Sequence, residues 1–274
     1  MKLATIRRGG STAAVRIDDD RAVEISGVAS LGELLAQPDW RTVAESASGA
    51  DHDLATLDYE ILVPRPDKIV CVGLNYRNHI LEMGREEPEY PTLFAKYRSA
   101  LIGAYDDIAM PAESTRVDWE AELAVVIGAP ARHVSVGEAP GAIAGYSVLN
   151  DITARDFQYR TLQWLQGKTF EGSTPLGPWL VTSDEAEGRS GEITCEVNGE
   201  TMQKSDISDL LFDPAALVSY ISSIVTLLPG DVIATGTPGG IGQGMKPPRF
   251  LNDGAVVTTR IQGIGECRNV CRQA

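Results

Sequence analysis

The sequence predicts a β-rich α+β protein, with a small N-terminal unit followed by one larger domain. Three observations carry that expectation. Short runs of β-branched and apolar residues bounded by turn residues recur along most of the chain. Helical spacing, with apolar residues three or four apart, is confined to a few stretches. Strand and helix patterns do not alternate regularly, which argues against a doubly wound parallel sheet. With 274 residues, 43% hydrophobic and 23% charged, the chain can bury one large core and a small appendage.

The N-terminal unit comes first. Runs over Lys2–Arg7, Ala13–Ile17 and Ala22–Ile25 read as strands separated by turns at Arg8-Gly9-Gly10 and Asp18-Asp19-Asp20. A helix is predicted from about Leu31 to Ala44. Val63-Pro64-Arg65-Pro66 then reads as a linker, because two prolines around one residue disfavour both helix and central strand. The expected domains are therefore 1–63, a small α/β unit, and 64–274.

Beyond the linker, strands are predicted at Ile69–Val72, Leu123–Ile127, Gly145–Leu149, Trp179–Val181, Ile193–Val197, Val232–Thr235 and Val256–Ile261. Helices are predicted at Asn78–Met83, Ala154–Leu165 and Pro214–Leu228. No repeat or low-complexity segment interrupts them.

Charge and composition narrow the function. Asp and Glu outnumber Lys and Arg by 38 to 24, a net charge of −14, so nucleic-acid backbones and anionic membranes are repelled by the chain as a whole. An anionic small substrate is repelled too, unless a metal and basic residues reverse the potential locally. No stretch reaches the roughly 18 apolar residues of a membrane helix, and the opening residues lack an apolar signal core. Cys71, Cys195, Cys267 and Cys271 have neither CxxC spacing nor a neighbouring histidine for zinc, and read as free thiols. Together these features give an expectation of a cytoplasmic protein.

The chemically loaded segment is Asp118-Trp119-Glu120-Ala121-Glu122, which runs directly into the apolar strand. Side chains alternate along a strand, so Glu120 and Glu122 share a face about 7 Å apart. Two carboxylates entering a core on one face repel and are costly to desolvate, and a cation between them relieves both problems. Oxygen ligands select Mg²⁺, Mn²⁺ or Ca²⁺ over zinc. Asp151, just past the run Gly145–Leu149, is the candidate third ligand. The alternative from spacing alone is a solvated edge, with Asp151 as a helix cap. A phosphate cradle at Gly236-Thr-Pro-Gly-Gly-Ile-Gly242 is disfavoured, since it has neither GxxxxGK[ST] nor GxGxxG. His52 and His133 read as structural or solvated, and Trp119 and Trp164 as packing residues.

Several segments together resemble the fumarylacetoacetate hydrolase family across almost everything after residue 63. Lys68-Ile-Val-Cys-Val-Gly-Leu-Asn-Tyr76 is similar to its opening strand and loop. Asp118-Trp-Glu-Ala-Glu-Leu-Ala-Val-Val-Ile-Gly128 resembles its metal strand. Gly145-Tyr-Ser-Val-Leu-Asn-Asp-Ile-Thr-Ala-Arg-Asp156 resembles the segment with the third carboxylate, and Leu228-Pro-Gly-Asp-Val-Ile-Ala-Thr-Gly-Thr-Pro-Gly-Gly240 its C-terminal signature. His79 and Glu82 look like its His-x-x-Glu pair on a lid, and Lys168 stands where the family carries a lysine.

The resemblance implies a mixed β-sandwich roll around the metal site, usually a homodimer, with Glu120, Glu122 and Asp151 holding Mg²⁺ or Mn²⁺. It also implies a small anionic 1,3-dicarbonyl or 2-oxo acid substrate. Such an acid chelates the ion through its carboxylate and neighbouring carbonyl, which stabilises an enolate. That serves hydrolytic C–C cleavage, decarboxylation and isomerisation alike. His79 and Glu82, three apart, can supply a base and its orienting carboxylate for a water. Lys168 is a candidate for the substrate carboxylate or developing oxyanion. Arg155, Gln158 and Thr237 are candidate substrate contacts, and Lys96 is expected to neutralise the metal's carboxylates. The acidic stretch Gly84–Pro91 disfavours a second substrate carboxylate unless Arg77 or Arg85 compensates.

The first expectation is a hydrolase of the acylpyruvate or fumarylpyruvate type, in aromatic or sugar-acid catabolism. Its competitor is a decarboxylase or isomerase of a related diacid, of the oxaloacetate or 2-hydroxyhepta-2,4-diene-1,7-dioate type. A non-catalytic metal-stabilised scaffold is the remote alternative.

Overall fold

The computed structural model describes residues 1–77, 80, 84, 86–186 and 191–273. The strands in chain order are β1 (Lys2–Arg8), β2 (Ser11–Asp18), β3 (Arg21–Glu24), β4 (Asp51–Asp53), β5 (Ile69–Gly73), β6 (Thr92–Lys96), β7 (Leu101–Ile102), β8 (Ile108–Met110) and β9 (Val117–Asp118). They continue as β10 (Ala121–Ile127), β11 (Ile143–Asn150), β12 (Thr153–Ala154), β13 (Thr174–Thr182), β14 (Glu192–Val197), β15 (Glu200–Asp206), β16 (Val232–Ala234), β17 (Val256–Ile261) and β18 (Gly265–Gln273).

A large mixed sheet runs in the order β4-β3-β2-β1-β13-β11-β10-β16-β5-β6, and a second sheet in the order β15-β14-β17-β18-β8. The result is a β-rich α+β architecture. The N-terminal strands are not a separate sheet: β1 pairs antiparallel with β13 through Lys2↔Val181 and Leu3↔Leu180. The linker is also stitched down, since the Thr5 hydroxyl donates to the Leu62 carbonyl at 2.8 Å.

Packing explains why β10 reads as an unbroken apolar run. Every residue of it is buried. Ala121 and Leu123 face the core shared with the second sheet, and Val125 and Ile127 face helix Pro214–Ile224. Ala124 and Val126 sit in the core under the N-terminal helices. A strand covered on both faces loses its polar alternation. Glu120 and Glu122 fall on the Ala124 and Val126 side by the period of two.

Helices depart from the sequence expectation where local chemistry competes. The single helix predicted from Leu31 to Ala44 is two, Leu31–Leu35 and Trp40–Glu45. Pro38 lies between them, lacking an N–H and disfavouring helical geometry at Gln37. The stretch Ala154–Leu165 likewise yields β12 and then two short helices, Arg155–Gln158 and Leu165–Lys168. Between these, the Thr161 hydroxyl bonds the backbone of Gln163 in both directions at 3.2 Å, an alternative to helix continuation. The helix predicted at Pro214–Leu228 forms but ends at Ile224, and it is capped by Asp213, whose carboxylate accepts from Ala216 N–H at 2.8 Å. The helix predicted at Asn78–Met83 lies, apart from Ile80, outside the described residues. No helix is long and apolar enough to cross a membrane among those described.

Candidate metal and substrate site

The site is built where β10 begins and β11 ends. These strands pair antiparallel through Ala121↔Asn150 and Glu122↔Leu149. The Asp151 N–H donates to the Glu120 carbonyl and the Glu120 N–H to the Asn150 side chain, both at 2.9 Å. The sheet register thus sets Asp151 beside the two glutamates. One oxygen from each of Glu120, Glu122 and Asp151 lies within 4.8 Å of the others, and all three residues are buried.

Three cations surround them. The Lys168 ammonium bridges Glu120 Oε2 at 2.7 Å and Asp151 Oδ2 at 2.8 Å. Lys96 Nζ lies 2.8 Å from Asp151 Oδ1 and also donates to the Lys168 carbonyl. Arg155 pairs with Glu120 Oε1 and Asp118 Oδ2, each at 2.7 Å. Its Nη1 also donates to Gln158 Oε1 at 3.0 Å, while its buried Nη2 has no hydrogen-bond partner among the described residues. Asp118 is held in turn by the backbone N–H groups of Trp119, Gly242 and Gln243 at 2.8, 2.7 and 3.0 Å.

Glu122 differs from its neighbours. Its Oε2 accepts from Gly236 N–H at 2.9 Å, but no cationic side chain pairs with it among the described residues. Burial pushes its carboxyl well up, and the charges of Asp151 and Glu120 push it further. Burial alone would also raise Asp151, yet Lys168 and Lys96 outweigh it and hold that carboxyl below its ordinary value. Burial works against the Lys168 ammonium, and the charges of Asp151 and Glu120 overcome it, so its pKa is raised. Lys168 is therefore a fixed cation rather than a base near neutral pH.

These residues fit a divalent cation. Three hard oxygen donors converge in a buried site, and one of them, Glu122, pairs with no cationic side chain among the described residues. Glu120, Glu122 and Asp151 would hold the ion, with Lys96, Arg155 and Lys168 orienting the first and third.

A cavity of ≈ 410 Å³ opens over this floor. Glu120, Glu122, Arg155, Gln158, Lys168 and Thr237 give it a polar base, while Val72, Leu74, Phe94, Trp164 and Ile241 form apolar walls. Gly73 is required in that wall: a Cβ there would stand 2.4 Å from the Trp164 ring.

Sequence-predicted residues divide as follows. Glu120, Glu122, Asp151, Lys168, Arg155, Gln158 and Thr237 come together. Lys96 does not line the cavity and lies behind Asp151, so its place is with charge neutralisation, not substrate contact. His79, Glu82 and Arg85 lie outside the described residues. Arg77 is half-exposed and donates to the Leu210 carbonyl at 3.2 Å. Trp119 packs in the core, whereas Trp164 packs on Phe94 and also faces the cavity. The glycine-rich run is no phosphate cradle, because its Gly236 and Gly242 amides are already committed to Glu122 and Asp118. His52 pairs with Glu24 at 2.8 Å. All four cysteines are free and buried.

Sequence reasoning passed over Asp118, Asn150 and Gln203. Gln203 accepts from the Ala121 N–H, between the two glutamates, at 2.9 Å. For Asp118 and Asn150 the available signal was a polar residue beside or inside an apolar strand; Gln203, on the mostly polar β15, offered none.

Residues 68–272 match the family model for the fumarylacetoacetate (FAA) hydrolase C-terminal domain. The chain is 45% identical over 205 residues to the rat (Rattus norvegicus) mitochondrial oxaloacetate tautomerase Fahd2a, covering 74% of this chain and 66% of that protein. It thus spans just under two thirds of that relative's length. Among solved structures, fumarylacetoacetate hydrolase from Exiguobacterium antarcticum superposes with a TM-score of 0.88 at 33% identity, with both chains covered completely. The 5-carboxymethyl-2-hydroxymuconate delta-isomerase from Mycobacterium smegmatis gives a TM-score of 0.83, also at 33% identity and full coverage of both chains. With its β-rich mixed-sheet fold and its buried carboxylate triad, the chain belongs to the fumarylacetoacetate hydrolase family.

Proposed function

We propose that this protein is a divalent-metal-dependent isomerase that interconverts the enol and keto forms of oxaloacetate or a closely related 2-oxo diacid. The observation that carries the reading is the buried triad Glu120, Glu122 and Asp151 at the floor of a cavity whose lysine is a permanent cation. Similarity to an oxaloacetate tautomerase and to a muconate isomerase favours isomerisation over the hydrolysis expected from sequence. A divalent ion bound by the triad supplies Lewis-acid polarisation of the 2-oxo group.

The chain's own residues supply the rest. Lys168, held in the cavity floor by Glu120 and Asp151, offers its remaining N–H to developing enolate oxygen charge. Its ion pairs with Glu120 and Asp151 place it as a charge-stabilising cation, and not as the group that takes the proton from carbon. We assign that proton transfer to His79, oriented by Glu82. The apolar walls of Val72, Phe94 and Ile241 keep bulk water from the intermediate.

The test uses enol-oxaloacetate with Mg²⁺ or Mn²⁺, following loss of the enol absorbance and pyruvate formation separately. Accelerated enol loss without pyruvate is expected. Stoichiometric pyruvate would establish decarboxylation instead. Turnover of acylpyruvates to pyruvate plus a second acid, with no effect on enol-oxaloacetate, would establish the hydrolase reading. No turnover with any of them would leave a scaffold.

A further inference from the structure

We infer that Gln203 is a positioning residue that makes Thr237 an obligate hydrogen-bond donor to the carboxylate of the bound 2-oxo acid. The inference rests on the reading of the cavity as a metal-dependent 2-oxo acid site.

Gln203 sits on β15, in the second sheet, and is 1% exposed. Its amide orientation is fixed by partners that can play only one role. The Ala121 N–H can only donate, so the group 2.9 Å from it is the amide oxygen. The Pro238 carbonyl can only accept, so the group 2.9 Å from it is the NH₂. That NH₂ donates its second hydrogen to Thr237 Oγ1 at 2.7 Å.

The consequence falls on Thr237. A hydroxyl has one hydrogen, and it cannot be given to an NH₂ that is itself donating. No other acceptor takes it among the described residues. Thr237 lines the cavity beside Glu122 and Lys168, so among the described residues its O–H has only that space to donate into. A carboxylate is such an acceptor, and a hydrogen bond to a charged group is the stronger kind. Gln203 thus couples two parts of the site: its oxygen anchors the backbone between the two metal-binding glutamates, and its NH₂ sets the polarity of the threonine above them.

The experiment measures binding of oxalate, a carboxylate probe of the chelating end of a 2-oxo acid, by calorimetry on the Mg²⁺-loaded protein. Mg²⁺ affinity is measured alongside. Thr237→Val is expected to weaken oxalate about 10- to 100-fold, the range for a hydrogen bond to a charged group. Gln203→Met is expected to weaken it by about 10-fold on protein kept saturated with Mg²⁺, the separate Mg²⁺ titration setting the saturating concentration. In the double variant the two losses do not add, because Gln203 acts through Thr237.

Additive losses, or unchanged oxalate affinity in Gln203→Met, would overturn the inference. If Gln203→Met does not fold, the same cycle is run on Gln203→Glu at pH 8, which keeps an acceptor for the Ala121 N–H. If the wild-type protein with Mg²⁺ binds no oxalate, it is the reading of the cavity that fails.

Discussion

Replacing Glu122 by Gln keeps the side chain's shape and an oxygen for the Gly236 N–H, but removes one negative charge from between Glu120 and Asp151. The three ligand oxygens lie within 4.8 Å of one another. At that separation, with an effective dielectric of about 20, each like-charge pair repels by about 3 kcal/mol. Lys168 offsets part of the sum, and burial together with the remaining repulsion raises the Glu122 pKa. The group's pKa is raised in the folded state, so the native protein binds more protons than the unfolded chain above the ordinary value of 4.5. Its contribution is therefore fully present below that value and is lost as pH rises through the folded pKa.

Metal-free Glu122→Gln should consequently be more stable than wild type at pH 8 by about 1–2 kcal/mol, a rise in Tm of about 2–4 °C, with the gap closing at pH 5. The same change removes a ligand, so Mn²⁺ affinity should fall by about 10²-fold or more. Scanning calorimetry in chelator at both pH values gives the first quantity, and Mn²⁺ titration the second. A metal-free variant that melts below wild type at pH 8, or one that binds Mn²⁺ with wild-type affinity, would refute the charge reasoning.

Two further outcomes follow from neighbouring contacts. Asp118→Asn takes the charge from a carboxylate that accepts three backbone N–H groups and balances the buried Arg155. It should cost about 3–5 kcal/mol in urea unfolding, the usual cost of breaking a buried ion pair, and a midpoint equal to wild type would disprove that role. Burial pushes up the thiols of Cys71, Cys195 and Cys267, and that of Cys271 to about 12. A disulfide reagent at pH 8 should label no cysteine in the native protein and all four in denaturant; rapid labelling of the folded state would contradict the packing.

How much of this was legible in the sequence depends on where each contact's partner lies. β10 and β11 were readable because each is packed on both faces, which gives β10 a run interrupted only by Glu122 and leaves β11 mostly apolar. The strands β15 and β18 were not. Glu200–Asp206 is mostly polar and forms one edge of the second sheet, and Gly265–Gln273 owes its conformation to pairing with β17 and β8. Their β structure is imposed by neighbours, against weak local preference. The split of the predicted helices was readable in principle at Pro38, and less so at Thr161, where a side chain competes for backbone groups. In the site, the triad was legible because carboxylates at the ends of apolar strands conflict with their surroundings. Asp118 and Gln203 escaped notice because what they hold lies far along the chain: the Gly242 amide is 124 residues from Asp118, and the Ala121 amide is 82 from Gln203.

The net charge of −14 set a condition on any anionic substrate, namely that the site reverse the potential locally. The protein's own cations go only part of the way. Lys96, Arg155 and Lys168 face Asp118, Glu120, Glu122 and Asp151, and each of the three is already paired with at least one of these carboxylates. With all seven ionised, the floor keeps one negative charge, and Glu122 is where it falls, since no cation pairs with that residue among those described. Among the described residues, these cations therefore leave the ionised floor with no net positive charge for an oxo acid to meet. A divalent ion in the triad turns the floor net positive, and the substrate's carboxylate and 2-oxo oxygen then have a charge to meet. The lysines and arginine fix two of the three carboxylates in place, and Glu122, which pairs with no cationic side chain among the described residues, is the carboxylate whose charge a bound ion would balance.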